Sequence, residues 1–235
     1  MNIFLAHINE TVRQARLTKR GSVRISGEYK RFTHKEYVRM ESVALPEPIP
    51  NNKTLSEAVL GRRSYDMASI GHLTLEHIGT LLGTALGVDK ASQRRHYPSG
   101  GGLYPVETYL IWQVPDSAQY TAFHYNPTKH TLEILLTLPN TFDSKSIAHS
   151  PSELRYCAMV IFTAVWDRSS IKYGDLAYLH AAIEAGHMSQ NILLTAEAHK
   201  LKSRPYAGFD DEKIIEILDL DTDLEQPIHT VLLSL

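Results

Sequence analysis

Beyond residue 53 the apolar positions switch repeatedly between a helical and an alternating rhythm. Leu55, Ala58 and Val59 share one helical face in a segment that opens at Thr54 and ends at Arg62-Arg63-Ser64. Leu75, Ile78, Leu81, Leu82 and Ala85 repeat at helical spacing from Thr74, and Gly87 stops them. The β-prone run Val106 to Val114 predicts a strand. Tyr120 to Tyr125, a turn at Asn126-Pro127-Thr128 and Leu132 to Leu136 predict a hairpin. Residues 138–152 are polar and serine-rich, so they predict a surface loop with a short helix, whereas Ala158 to Val165 predicts a buried central strand. Asp175 to His199 predicts the longest helix, and its positions Ala182, Ala185, Gly186, Ser189, Ile192, Leu193 and Ala196 suit close packing on more than one side, against a core or another subunit. A strand near Leu201 to Tyr206, a helix from Asp211 to Leu218 and a strand from Ile228 to Leu233 complete the set. Interleaved helices and strands with a hairpin predict a mixed α and β fold.

The first fifty residues are sparser. Residues 2–17 predict a short helix, 18–50 are mixed with Gly21 and Gly27, and Pro46-Glu47-Pro48-Ile49-Pro50 predicts an extended connector. Too few apolar positions recur there to bury a core, so residues 1–52 form an N-terminal arm and linker ahead of a single domain at 53–235.

Composition narrows the class. Of 235 residues, 43% are hydrophobic and 21% charged, as in ordinary globular proteins, and the net charge of −2 argues against a nucleic-acid partner. Cys157 is the only cysteine and lies in an apolar run, which rules out an internal disulfide or a cysteine zinc site and fits a reducing compartment. The N-terminus has no basic signal-peptide start, and nothing approaches the ~18 apolar residues of a membrane span. A cytoplasmic protein with no membrane partner is expected. P-loop, GxGxxG and GxSxG signatures are absent. The histidines form no metal pattern; His72 with His77, and His124 with His130, are expected at the surface, and no metal is assigned.

The chemistry concentrates in a few segments. Arg95-His96-Tyr97-Pro98-Ser99-Gly100-Gly101-Gly102-Leu103-Tyr104-Pro105-Val106-Glu107 places three glycines just before a strand. Bare backbone of that kind makes a turn, or lies against a flat ligand with its amides facing it. Arg62-Arg63-Ser64 offers guanidinium forks suited to phosphate, or a basic helix end that complements the dipole. Lys172-Tyr173 stands between the central strand and the longest helix, where a lysine (pKa ~10.4) and a phenol (~10) can be tuned for proton transfer. Glu184, His187 and Asn191 recur at one-turn spacing, with Gln190 beside them; such a stripe lines a pocket or staples two helices together.

Taken in order, these segments, with Leu73-Thr74-Leu75-Glu76, Ala85-Leu86-Gly87 and Ala207-Gly208-Phe209-Asp210-Asp211, resemble the FMN-dependent nitroreductase superfamily. Within it they are similar to SagB/McbC-type azoline dehydrogenases, which oxidise azolines to thiazoles and oxazoles in ribosomal peptide natural products. Tyr29-Lys30 and Leu45-Pro46-Glu47-Pro48 resemble that family's lead-in. The resemblance implies an α+β nitroreductase-like fold, a mixed, mainly antiparallel sheet flanked by helices, with two FMN sites at a homodimer interface. Arg62, Arg63 and Ser64 would hold the phosphate. Pro98, Ser99, Gly100, Gly101 and Leu103 would lie along the isoalloxazine. Glu184, His187, Gln190 and Asn191 would sit near the ribityl chain or ring edge, with Ala207 and Gly208 on the other side. Lys172 and Tyr173 match the family's catalytic pair. One of them would take the azoline's carbon-bound proton while flavin accepts the hydride and molecular oxygen reoxidises it. Cyclodehydratase subunits and a leader-bearing peptide would be the partners.

The chain departs from the family pattern at Asp66, at the leucines of Asp175-Leu176-Ala177-Tyr178-Leu179, and at a C-terminus without basic residues. An NAD(P)H-driven nitroreductase or quinone reductase, and a flavin-poor scaffold subunit, are the alternative functions.

Overall fold

The alternating strands assemble into one seven-stranded sheet in which every described pairing is antiparallel, ordered β1-β4-β3-β2-β5-β7-β6. The computed structural model describes residues 3–17, 33–67, 71–115, 117, 119–149 and 154–235. The strands are β1 (Ser42–Ala44), β2 (Val106–Gln113), β3 (Tyr120–Asn126), β4 (Thr131–Thr137), β5 (Ala158–Val165), β6 (Lys202–Tyr206) and β7 (Glu225–Ser234). The helices are α1 (Ile3–Leu17), α2 (Leu55–Gly61), α3 (Leu75–Leu86), α4 (Asp167–Tyr173), α5 (Leu176–Ala198) and α6 (Asp211–Leu218). The Tyr29-Lys30 lead-in lies outside the described residues. No described helix is long and apolar enough to cross a membrane.

Side-chain alternation divides the core in two. Leu110, Trp112, Val160, Phe162 and Val231 pack with Ile78, Leu81 and Leu82 of α3 and Ala185, Met188 and Ile192 of α5. Tyr109, Ile111, Met159, Ile161 and Leu232 face the other way, with Ile214 and Leu218 of α6. Thr54 and Thr74 each close a capping box at the start of α2 and α3, an arrangement in which the capping side chain contributes about 1 kcal/mol.

Several local expectations are revised. On α2 only Ala58 is buried; Leu55, Val59 and Leu60 are 72%, 52% and 75% exposed, so the expected apolar face points outward. The turn of α4 between β5 and α5 carries too few apolar residues to be visible as a helix. β7 begins at Glu225, ahead of the expected Ile228, because a register shift opposite Phe162 and Thr163 accommodates Pro227 within the ladder.

The largest revision concerns His124, which is wholly buried, not superficial. Its Nδ1 lies 2.8 Å from Glu133 Oε2 and its Nε2 3.0 Å from Glu107 Oε2. Only an imidazolium can donate to both carboxylates at once. Burial opposes that charge, but the two carboxylates outweigh it and raise the pKa of His124 above the ordinary 6.5. Arg168 of α4 pairs with the other oxygen of Glu107. Burial alone would raise Glu107, yet Arg168, His124 and Arg95 hold it well below the ordinary carboxylate range. His130 is also part-buried, bonded to Tyr125 and to the Pro46 carbonyl, and His77 is engaged in the α3 cap. His72 is exposed, as expected.

The arm closes this network. The Lys35 amide donates to Glu107 at 2.6 Å and its ammonium pairs with buried Glu225. The Tyr37 amide donates to Glu133 at 3.1 Å. The Thr33 carbonyl accepts from Arg95 at 2.6 Å and from Arg168 at 3.4 Å.

Candidate active site

Two of the three glycines before β2 adopt backbone that side chains rarely take: φ is +68° at Gly101 and +66° at Gly102. The loop borders an open cleft of about 870 Å³ lined by Arg95, Tyr97, Pro98, Ser99, Gly101 and Gly102 among others. A Cβ at Gly102 would meet nothing within 4 Å. At Gly101 it would come within 2.8 Å of both Lys172 Nζ and Tyr173 OH. Lys172 and Tyr173, expected from the sequence as candidates for proton transfer, thus converge on the glycine loop. The Lys172 ammonium stands 5.2 Å from the centre of the Tyr173 ring.

This convergence has a structural cause. Arg168, one turn before Lys172, donates to the Tyr104 carbonyl at 3.0 Å and pairs with Glu107, so α4 is fastened to both ends of the segment linking the glycines to β2. Arg95 fastens the other side through Tyr97 OH at 2.7 Å and stacks over the Tyr104 ring at 4.8 Å. Nothing in the sequence singles out Arg168, and Arg95 is visible there only as a flank of the glycine run.

The expected stripe on α5 does not form one surface. His187 and Gln190 are exposed. Asn191 donates to the carbonyls of Ala85 and His96, both at 3.1 Å, and so staples α5 to the end of α3 and to the approach of the glycine loop. Glu184 is turned inward, 2% exposed, with both carboxylate oxygens lacking an aligned hydrogen-bond partner among the described residues. Burial pushes its pKa up from the ordinary 4.5 to about 7, against the opposing pull of Ser99, Arg95 and the Val106 amide. Ser99 meanwhile accepts from the Tyr104 amide at 2.9 Å, and Leu103 is packed inside at 2% exposure.

The raised pKa of Glu184 has a sign that can be checked. The folded state holds this proton more tightly than the unfolded chain, so the resulting stability is complete below pH 4.5 and lost as pH rises through about 7. Glu184→Gln removes that loss. Urea unfolding at pH 4.5 and at pH 8 should show the variant gaining on the wild type by on the order of 3 kcal/mol between the two. Equal gains at both pH values would refute a buried neutral acid.

Arg62, Arg63 and Ser64 lie at the far end of α5. Glu197 packs against Gly61, and from Glu184 to Glu197 the helix rises roughly 20 Å. Arg62 donates to Ser64 Oγ at 3.4 Å, and Arg63 donates to the Leu60 and Arg62 carbonyls. Neither has a carboxylate partner among the described residues, so two guanidinium groups and a hydroxyl form a donor set that fits a phosphate. Asp66 does not spoil it: its carboxylate points to solvent and pairs with Arg204 at 3.2 Å. Arg204 is a further cation at this end that the sequence did not single out. Ala207 and Gly208 follow β6, where the Gly208 carbonyl accepts from the His149 amide at 2.6 Å. Bare glycine backbone beside an open cleft fits a flat ring system equally well, although one chain holds these two donor sets apart.

The nitroreductase family model matches residues 62–233. The microcin B17-processing protein McbC of Escherichia coli is 30% identical over 146 residues, covering 60% of this chain and 54% of that protein. The chain therefore spans about half the length of McbC in that match. The solved Escherichia coli microcin synthetase McbBCD complex with truncated pro-MccB17 bound matches with a TM-score of 0.66 and 23% identity, over 98% of this chain and 92% of that one. A nitroreductase-like protein from Desulfovibrio desulfuricans in complex with FMN matches with a TM-score of 0.53 and 14% identity, over 78% and 86% of the two chains.

Proposed function

The chain belongs to the nitroreductase family, and on that ground we propose that it is an FMN-dependent dehydrogenase that oxidises azoline rings to thiazoles or oxazoles in a ribosomally made peptide. The observation that carries this reading is the approach of Lys172 Nζ and Tyr173 OH to Gly101. A reductase passing electrons to a nitro group or quinone needs no protein base over its flavin; aromatising an azoline does, because a carbon-bound proton must leave. The identity to McbC and the fold shared with the McbBCD complex support the same substrate class.

Arg62, Ser64 and Arg63 would hold the FMN phosphate, and Ser99, Gly100 and Gly101 would flank the ring. The roughly 20 Å between these sets along α5 favours a homodimer in which each FMN is shared, one copy supplying the arginines and the other the glycine loop. When bound, FMN supplies a two-electron acceptor. The protein orients the peptide's ring against the glycine loop and takes the proton on Lys172 or Tyr173. Cyclodehydratase subunits would supply the azoline-bearing peptide, in the cytoplasm.

A peptide carrying one azoline, incubated with the purified protein in air, should become lighter by two hydrogen atoms. Steady NAD(P)H consumption with the azoline left intact would instead mark a general reductase. Arg62→Ala should release FMN, and flavin absorbance after gel filtration checks this; full retention of the yellow colour would overturn the phosphate role.

A further inference from the structure

His180, in the second turn of α5, attracts no notice in the sequence. Its ring stands edge-on to Tyr173, with centroids 4.3 Å apart and planes at 83°. Its Nδ1 is buried and has no hydrogen-bond partner among the described residues. A Cβ at Gly100 would lie 3.4 Å from that nitrogen and 3.6 Å from Tyr173 Cε2. Imidazole and phenol therefore converge over the side-chain space that Gly100 leaves empty, and the Tyr173 hydroxyl and Lys172 amine fill the corresponding space at the adjacent Gly101. The contact arises because Gly174, at φ +51°, reverses the chain and lays the end of α4 against the start of α5.

Resting on the dehydrogenase reading, we propose that His180 is a positioning residue for the Lys172–Tyr173 pair: as a neutral imidazole it braces the phenol ring against the glycine loop. The groups set against it are Tyr173 from α4 and the uncharged backbone of Gly100, with the Lys172 amine on the adjacent Gly101 and Glu184 one turn further along α5. Burial moves its pKa below the ordinary 6.5, so it is neutral at physiological pH. A proton on Nδ1 would find no acceptor among the described residues and would put a charge where burial disfavours it. The ring must then leave its contact, and the phenol loses its brace. An edge-to-face contact of this kind biases the ring's alignment by about tenfold.

Two readouts test this. With 3-fluorotyrosine at position 173, the flavin-free protein should show a fluorine NMR titration step below pH 6.5, and His180→Phe should abolish it. In azoline oxidation His180→Ala should lower kcat about tenfold with KM unchanged. His180→Phe, which keeps the edge-on contact but cannot titrate, should recover the rate and lose the wild type's decline in acid. A flat fluorine trace in the wild type, the same step in His180→Phe, or a wild-type kcat in His180→Ala would each overturn the proposal. A wild-type step with no azoline oxidation would sink the dehydrogenase reading and leave the bracing role of His180 standing.

Discussion

Lys172→Ala should retain the fold and the flavin yet oxidise azolines ~10²–10⁴-fold more slowly, the range that a positioned acid or base contributes. The side chain is half-exposed, and its described contacts are with Tyr173 and Gly101. Its loss therefore removes the amine from the site without opening the core. Tyr173→Phe separates the two candidates: if Tyr173 is the base, it should match Lys172→Ala, and if Lys172 is the base, the lysine variant should be much the slower. Peptide mass spectrometry under single-turnover conditions makes the measurement. A Lys172→Ala rate within about threefold of the wild type, far short of the general-base range, would exclude Lys172 as a participant in proton transfer.

Glu107→Ala should be the most damaging single change to stability. Glu107 is the carboxylate shared by Arg168, His124 and the Lys35 amide. Removing one partner from a buried ionic set costs about 3–5 kcal/mol because the remaining charges keep their desolvation penalty. For a chain of this size that lowers Tm by roughly 10 °C, which calorimetry would register. It should also loosen α4 and so slow catalysis. The pH profile follows from opposite signs. His124, with a raised pKa, contributes fully below 6.5 and loses its contribution as pH rises through its folded value. Glu107 and Glu133, with lowered pKa values, contribute fully above 4.5 and lose theirs as pH falls through their folded values. The network is therefore strongest between pH 4.5 and 6.5. A wild-type melting temperature in Glu107→Ala would disprove its central place.

The helices and strands with long periodic runs were legible in the sequence because burial there depends on local spacing. α3, α5, α6 and the strands β2 to β6 fall close to where that spacing puts them. The glycine loop and Lys172-Tyr173 were legible as chemistry, since a bare backbone and a Lys-Tyr dipeptide are informative by themselves. What escaped was whatever depends on residues remote in the chain. His124 looks superficial in the sequence because Glu107, Glu133 and Arg168, 9 to 44 positions away, decide its burial. His180 carries no local signal because its partner lies across the sharp turn at Gly174. The shared apolar face of α2 turns outward, because helical spacing alone does not say whether anything covers it. The apolar side chains there are exposed, as are Ala182, Ile183 and Gly186 on α5.

The grip on residues 33–37 also bears on how the polypeptide can be shortened. A version begun at residue 53 would preserve α2 to α6 and six of the seven strands. It would nonetheless strip Glu225 of its lysine, Glu133 of an amide donor, and both Arg95 and Arg168 of the Thr33 carbonyl they share. Trimming this arm would thus open a cleft behind α4 lined with charges that keep only their remaining partners, and water would enter where the polypeptide now covers them.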